Sequence, residues 1–303
     1  MTTSKSLNEI INEVLASKGS KKAKIDAIVK IGVPVRDAQM VVDIYTKDNP
    51  REPKTRYTFG VELECNVPWQ SVINDNNAMF KYAGYTHVNE RTMFKFVTDV
   101  SVVGENSIEC VSPILNVSTT GFNTMKKACK ALNDKGATVN NSCGYHVHIG
   151  AEGMTDKQYI NFFVNYAHCE KVIDSFMAKS RRENNAYYCK SIRGFLNGLA
   201  TCTTKEDVQR LFGHGHITDW RQGARYYKVN PMAYVGHKTL EIRHHQGTTD
   251  YTKVSNWVKF NLALVEFSKN HRLSADINSI DELTFITTKM REYYKGRKVE
   301  VRG

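Results

Sequence analysis

Two glutamates stand two residues apart in the stretch YTFGVELECNV, Tyr57 to Val67. Tyr57, Phe59, Val61 and Leu63 alternate with them in the period of a β-strand, so Glu62 and Glu64 share the opposite face. Glutamate is poorly suited to strands, and two carboxylates on one face repel each other. The pattern recurs along the chain. In SIECVSP, Ile108 and Cys110 alternate with Glu109. In CGYHVHIG, Tyr145, Val147 and Ile149 oppose His146 and His148. In TLEIRHHQGTTD, Leu240 and Ile242 oppose Glu241, Arg243 and His245.

A sheet with one solvated face is the plain alternative, and it predicts Lys, Thr, Gln and Ser on the wet side. Instead Glu62, Glu64, Glu109 and Glu241 gather there, in a chain whose formal net charge is +11. Like charges on one sheet are destabilising unless something neutralises them. Carboxylate oxygens are hard ligands that suit magnesium or manganese, and a neutral imidazole completes a manganese-tolerant site. A lone HxH is a weak sign, because alternate histidines also occur in zinc hydrolases and in ordinary sheets. Joined to E-x-E and E-x-R strands, it points to a metal centre.

The elements that must position these residues are legible in outline. Strand-like segments fall at 57–67, 94–98, 107–111, 145–150, 225–230 and 239–245. Helical stretches lie between them, at about 121–134, 155–179, 204–212 and 251–270. The mixture predicts an α+β domain around a largely antiparallel sheet. Ahead of it, SLNE at Ser6 to Glu9 is a capping box, and apolar spacing predicts three short helices up to Tyr45. The segment TKDNPREPKTR reads as a linker. Residues 1–52 therefore form a helical appendage, and residues 53–303 the main domain. The basic tail YYKGRKVEVRG is expected to be loosely held.

Composition narrows the classes. Hydrophobic residues make up 41% of 303, enough for a real core. No apolar run is long enough to cross a bilayer. The start MTTSKSLNEIINEVL lacks the basic beginning and apolar block of a signal peptide. The cysteines number seven and form no C-x-x-C pair, which argues against a disulfide framework or a zinc ribbon. Reduced thiols in a cytoplasmic protein are the expectation. The positive charge suits an anionic partner such as a nucleotide or nucleic acid.

Six segments together resemble the amidoligase family, a branch of the carboxylate–amine ligases akin to glutamine synthetase and glutamate–cysteine ligase. They are FGVELE (59–64), YAGYTHV (82–88), VTDVSVVGENSIECVSPIL (97–115), CGYHVHIG (143–150), RRENNAYYC (181–189) and TLEIRHHQGTTD (239–250). They occur in family order across residues 57–260, leaving the N-terminal helices and the tail outside. The resemblance implies a glutamine-synthetase-like curved antiparallel sheet with flanking helices. Its concave face would hold ATP, Mg2+ or Mn2+, and a carboxylate substrate that is joined to an amine. By similarity, Glu62, His148 and Glu241 would hold the ion that touches the ATP phosphates. Glu64 and Glu109 would hold the ion nearer the substrate, and Arg243 would meet the transferring phosphoryl group. Val100 departs from the family, which commonly has Gly there, and this bears on the local turn.

Other residues carry weaker expectations. The family places Asp99 and Ser101 near the substrate, although both types also simply make turns. His146 shares the face of His148 as a second ligand or orienting group. Arg225 opens the segment RYYKVN and could contact nucleotide phosphates, and Asn230 resembles a strand-end asparagine of the family. Arg181 and Arg182 could bind phosphate or a substrate carboxylate, or could cap helix carbonyls. Gln246, Gly247 and Asp250 shape the turn into the last long helix. HGH at His214 to His216 reads as surface.

Three functions compete. The first is an ATP-dependent ligase acting through an acyl phosphate. The second is a metal-dependent hydrolase built on the same carboxylates and histidines, and it predicts turnover without nucleotide. The third is a nucleic-acid-binding or structural protein that keeps only the fold. A convergent arginine favours the ligase, and the acidic face argues against bare nucleic-acid binding. The acid and the amine stay open.

Overall fold

The computed structural model describes residues 6–17, 19–48, 57–68, 70, 79–84, 92–184, 189–213 and 224–301. Parts of four expected features lie outside them: 85–88 of YAGYTHV, 185–188 of RRENNAYYC, HGH at 214–216 and linker residues 49–56. The chain divides into two compact units, Met1–Lys54 with Thr287–Lys289, and Thr55–Ile286 with Met290–Gly303.

The first unit carries helices α1 (Leu7–Ala16), α2 (Lys21–Lys30) and α3 (Val35–Asp48). Ser6 and Glu9 cap α1 reciprocally, and Ser20 caps α2. Gly32 takes φ +94° just beyond α2, a value that an L side chain rarely adopts. Leu15, Ile28, Ala38 and Val42 bury against one another as a core separate from the rest.

The second unit is an α+β domain. Its strands are β1 (Thr58–Asn66), β2 (Phe80–Gly84), β3 (Phe94–Thr98), β4 (Ser107–Val111), β5 (Leu115–Asn116), β6 (Gly144–Gly150), β7 (Val229–Asn230) and β8 (Thr239–Gln246). They form one open sheet in the order β2-β3-β4-β1-β6-β8-β7, with β5 also paired to β1. Among these described strands only the β2–β3 pair is parallel. The helices are α4 (Thr119–Asp134), α5 (Asp156–Asp174), α6 (Leu196–Thr201), α7 (Lys205–Gly213), α8 (Ala233–His237), α9 (Tyr251–Ser268) and α10 (Thr288–Glu300). A capping box of Thr155 and Gln158 starts α5, and the Asp250 carboxylate starts α9 by accepting from the N–H groups of Thr252 and Lys253.

Alternation puts Phe59, Val61, Leu63, Tyr145, Val147, Ile149, Leu240 and Ile242 on one face, where all are buried. Helices cover that face. Phe59 stacks on Phe122 of α4 at 5.1 Å, and the Tyr145 hydroxyl donates to the Val254 carbonyl of α9 at 2.9 Å. Cys65 and Cys110 are buried among these apolar residues, and all seven cysteines are free thiols. No helix among the described residues is long and apolar enough to cross a membrane.

Three expectations need correcting. The strand foreseen at 225–230 is confined to Val229–Asn230, and Arg225 and Tyr226 form an exposed turn before it. The tail is not loose through its length: α10 reaches Glu300, with Tyr294 and Arg297 buried. Tyr294 packs against Phe176 and Phe260, so aromatic burial holds a segment whose basic composition suggested a loosely held tail. His245 does not share the face of Glu241 and Arg243. A β-bulge in β8 turns it to the helix side, where its ring lies 5.3 Å from Tyr145 and 5.7 Å from Trp257. Burial there lowers its pKa to about 3.

Candidate active site

The polar face of the central strands collects the ionisable groups. Glu64 pairs across β1–β4 with Glu109, and Glu62 pairs across β1–β6 with His146. His148 pairs with Glu241, and Glu241 pairs in turn with Asn230 on β7. One residue slip in any of these pairings would send a whole set to the helix side. Register therefore builds the site.

Each side chain has defined partners. His146 Nδ1 lies 2.9 Å from Glu62 Oε2, and His146 Nε2 lies 3.3 Å from Glu64 Oε1. His148 Nε2 lies 3.1 Å from Glu62 Oε1, while its Nδ1 is fixed by the Thr239 hydroxyl at 2.9 Å. The Gly144 N–H donates to Glu64 Oε2 at 2.5 Å. Asn230 Nδ2 and Arg243 Nη1 donate to the two oxygens of Glu241 at 2.6 and 2.7 Å. Arg243 Nη1 also stands 3.4 Å from His146 Nδ1.

Electrostatics follow from this crowding. Burial would raise the Glu62 carboxyl, but the His148 charge and the close approach of both histidines hold it well below the ordinary range. Burial, and then the charges of Glu62, Glu64 and Asp99, push Glu109 well above that range. Burial opposes the His148 charge, yet Glu62 and Glu241 lift its pKa to about 9. Burial likewise would raise Glu241, but Arg243 and His148 bring it down. Glu241 in turn keeps Arg243 firmly protonated against burial.

Divalent cations fit this face. Glu62, His148 and Glu241 bring ligand atoms within 4.8 Å of one another, as do Glu64, Asp99 and Glu109. A third overlapping set is Glu62, Glu109 and His146. Buried Nε2 atoms of His146 and His148 make no properly aimed hydrogen bond, although each is close to a carboxylate oxygen. A histidine held at Nδ1 with Nε2 turned toward carboxylates has the form of a metal ligand. Oxygen donors with one imidazole suit magnesium or manganese.

The structure sorts the weaker candidates. Asp99 joins Glu64 and Glu109, and its Oδ1 accepts from the Ser101 N–H at 2.8 Å and hydroxyl at 2.7 Å. Ser101 thus orients Asp99. Arg182 is engaged elsewhere, donating to the carbonyls of Met177 at 2.7 Å and Val301 at 2.8 Å, so it ties the chain end down. Arg181 is buried, and its Nη2 donates to the Ser142 carbonyl at 2.9 Å. Arg225 is exposed beside the Tyr226 ring. Gln246 accepts from the Ala178 N–H, and the Gly247 N–H donates to the Cys143 carbonyl, which suits their place in a turn.

Sequence reasoning passed over Gly144 and Thr239. Both were within its reach, since Gly144 precedes His146, and Thr239 precedes Glu241, by one strand period. It also passed over Lys228, fully buried against Glu170 and Asp174.

A family model described as "putative amidoligase enzyme" matches residues 55–265, well over half of the chain. The chain belongs to the amidoligase family. No curated protein matches it. Membership in the amidoligase family indicates a ligase. The matched span holds every strand among the described residues and the carboxylates, histidines and arginine named on the polar face, while α1 to α3 and α10 lie outside it.

Proposed function

We propose that the chain is an ATP-dependent carboxylate–amine ligase that works through an acyl phosphate. One observation carries the reading. Two acidic donor sets, Glu62–His148–Glu241 and Glu64–Asp99–Glu109, lie side by side on one sheet face with Arg243 at their margin. The open, largely antiparallel sheet then corresponds to the curved floor of a glutamine-synthetase-like fold.

The chemistry requires such a face. An amine cannot displace oxide from a carboxylate. The substrate carboxylate first attacks the γ-phosphorus of ATP, and the bond to the bridging oxygen of ADP breaks. Amine nitrogen then attacks the acyl carbon, the carbon–oxygen bond breaks, inorganic phosphate leaves, and the amine loses its proton to a base. Glu62, His148 and Glu241 would hold an ion at the ATP phosphates, and Glu64, Glu109 and Asp99 one beside the substrate carboxylate. Bound Mg2+ or Mn2+ would cancel the repulsion between anionic nucleophile and anionic phosphate. Thr239 fixes the His148 ring at Nδ1 with Nε2 toward Glu62, and Gly144 and Asn230 keep Glu64 and Glu241 in place. Arg243 contributes planar donors to the charge spread over the transferring phosphoryl group. Positioning and electrostatics carry most of the rate in such a reaction.

Calorimetry with ATP and Mn2+ tests the reading first. Binding should depend strongly on the metal and vanish with chelator. Amine-dependent phosphate release from ATP, screened over pools of acids and amines, should follow. Nucleotide binding indifferent to chelator, or turnover without nucleotide, overturns it.

A further inference from the structure

The bulge in β8 has its own anchorage. Between the pairs Tyr145↔His245 and Val147↔Ile242, β6 contributes His146 alone, whereas β8 contributes Arg243 and His244. Two residues against one break the alternation of faces. Arg243 keeps to the polar face, where it meets Glu241, His244 goes to the helix side, where it is fully buried, and the break comes at His245, which stays on the helix side beside Tyr145.

On that side His244 enters a closed polar network. Its Nε2 lies 2.6 Å from Asp174 Oδ1, and its Nδ1 lies 2.9 Å from the Tyr166 hydroxyl. Burial and the Lys228 charge hold His244 below its ordinary pKa. The tautomer that satisfies both neighbours donates from Nε2 to Asp174 and accepts at Nδ1 from Tyr166. Lys228 Nζ donates to the same Asp174 oxygen at 2.7 Å and to Glu170 Oε1 at 3.0 Å. Glu170 also accepts from the Ser191 hydroxyl and the Ile192 N–H, and Asp174 from the Glu183 N–H. The network is well satisfied, and this is the condition under which buried charges rigidify a fold.

Lys228 grips the bulge twice. Its carbonyl accepts the Arg243 N–H at 2.8 Å, and its ammonium holds Asp174, which holds His244, the next residue after Arg243. The contacts close a ring around the peptide that carries the guanidinium.

We infer that Lys228, Asp174 and His244 are positioning residues that lock this bulge and thereby aim Arg243 at the site. The role of Arg243 in catalysis rests on the ligase reading, but its placement does not. The test therefore needs no substrate. The Nε–H resonance of Arg243, followed by nuclear magnetic resonance in arginine-labelled full-length protein, reports its placement. Glu241→Gln calibrates the shift expected when the guanidinium loses its partner. Asp174→Asn should move the resonance in the same direction, while Mn2+ affinity changes less than twofold and the circular dichroism stays that of a folded protein. Tyr166→Phe removes one hydroxyl from the network and should produce a smaller shift of the same sign, so a poorly folding Asp174→Asn does not end the test. If the resonance stays in place in the folded variants, the network merely supports α5 and the inference falls. Failure of the wild type to bind ATP would sink the ligase reading and leave this assignment to be decided by the Arg243 signal.

Discussion

Glu64 on β1 and Glu109 on β4 are direct cross-strand partners, two carboxylates facing each other across a ladder. Such a pair opposes folding unless a cation lies between them. In chelated protein, Glu109→Gln should therefore raise stability by about 0.5–1 kcal/mol. With Mg2+ or Mn2+ the order should reverse, because the wild type gains stability on binding and the variant gains little. Thermal melting with and without chelator reads both arms, and a variant less stable than wild type in chelator would remove the case for a charge-strained face.

Arg243 and Glu241 lie two residues apart and touch at 2.7 Å, yet their losses should differ. Arg243→Ala should lower turnover on the order of 10²-fold with ATP affinity little changed. Glu241→Ala should weaken metal and ATP binding together. Arg243→Lys should rescue little, since lysine lacks the planar fork. Trapping of the acyl phosphate with hydroxylamine, once a substrate acid is found, measures the first step. Hydroxamate formed by Arg243→Ala at the wild-type rate would exclude the phosphoryl role.

Gly144 leaves no room for a side chain. An added Cβ would stand 2.8 Å from His146 Nε2 and 3.2 Å from Glu64 Oε2. Gly144→Ala should cut Mn2+ affinity by tenfold or more while the fold persists, as read by calorimetry beside a melting curve. At Gly247 the added Cβ would meet the Cys143 Cβ at 2.4 Å, next to the backbone. Gly247→Ala should thus cost about 1–3 kcal/mol in urea denaturation.

Asp174 gives the protein a dependence on pH. Burial would raise its carboxyl, but His244 and Lys228 outweigh burial and lower it. Its folded pKa lies below the unfolded value of about 3.9. The stability it confers is therefore present above that value and is lost as pH falls through the folded pKa. Asp174→Asn should cost roughly 3 kcal/mol near neutrality. The gap to wild type should narrow in the most acidic part of the range. Urea midpoints for both proteins across pH check this, and a gap that is constant with pH would assign the loss to packing.

The helical unit has its own apolar cluster, centred on Leu15, Ile28, Ala38 and Val42. A chain starting at Arg56 should fold and keep its Mn2+ and ATP binding. Loss of metal binding in a well-folded truncation would place part of the site in the helices.

Local chemistry was legible in the sequence wherever the strand period held. Glu62, Glu64, Glu109, His146, His148 and Glu241 alternate with apolar residues, so their common face follows from geometry within each strand. The capping residues Ser6, Thr155 and Asp250 likewise act within a few positions of themselves. What the sequence left open depends on partners far away in the chain. The pairing of Glu64 with Glu109 and of His148 with Glu241 is a matter of register between strands. The bulge at Arg243 and His244 exists only where β8 meets the shorter count of β6, and it reversed the expected face of His245. Lys228 reads in sequence as an ordinary basic residue, and Arg182 as a candidate ligand for an anion. Tertiary packing buried the first against two carboxylates and bound the second to carbonyls of the chain end. A side chain's type and strand phase set what it can bind, but its burial and its neighbours come from contacts that only the folded chain makes.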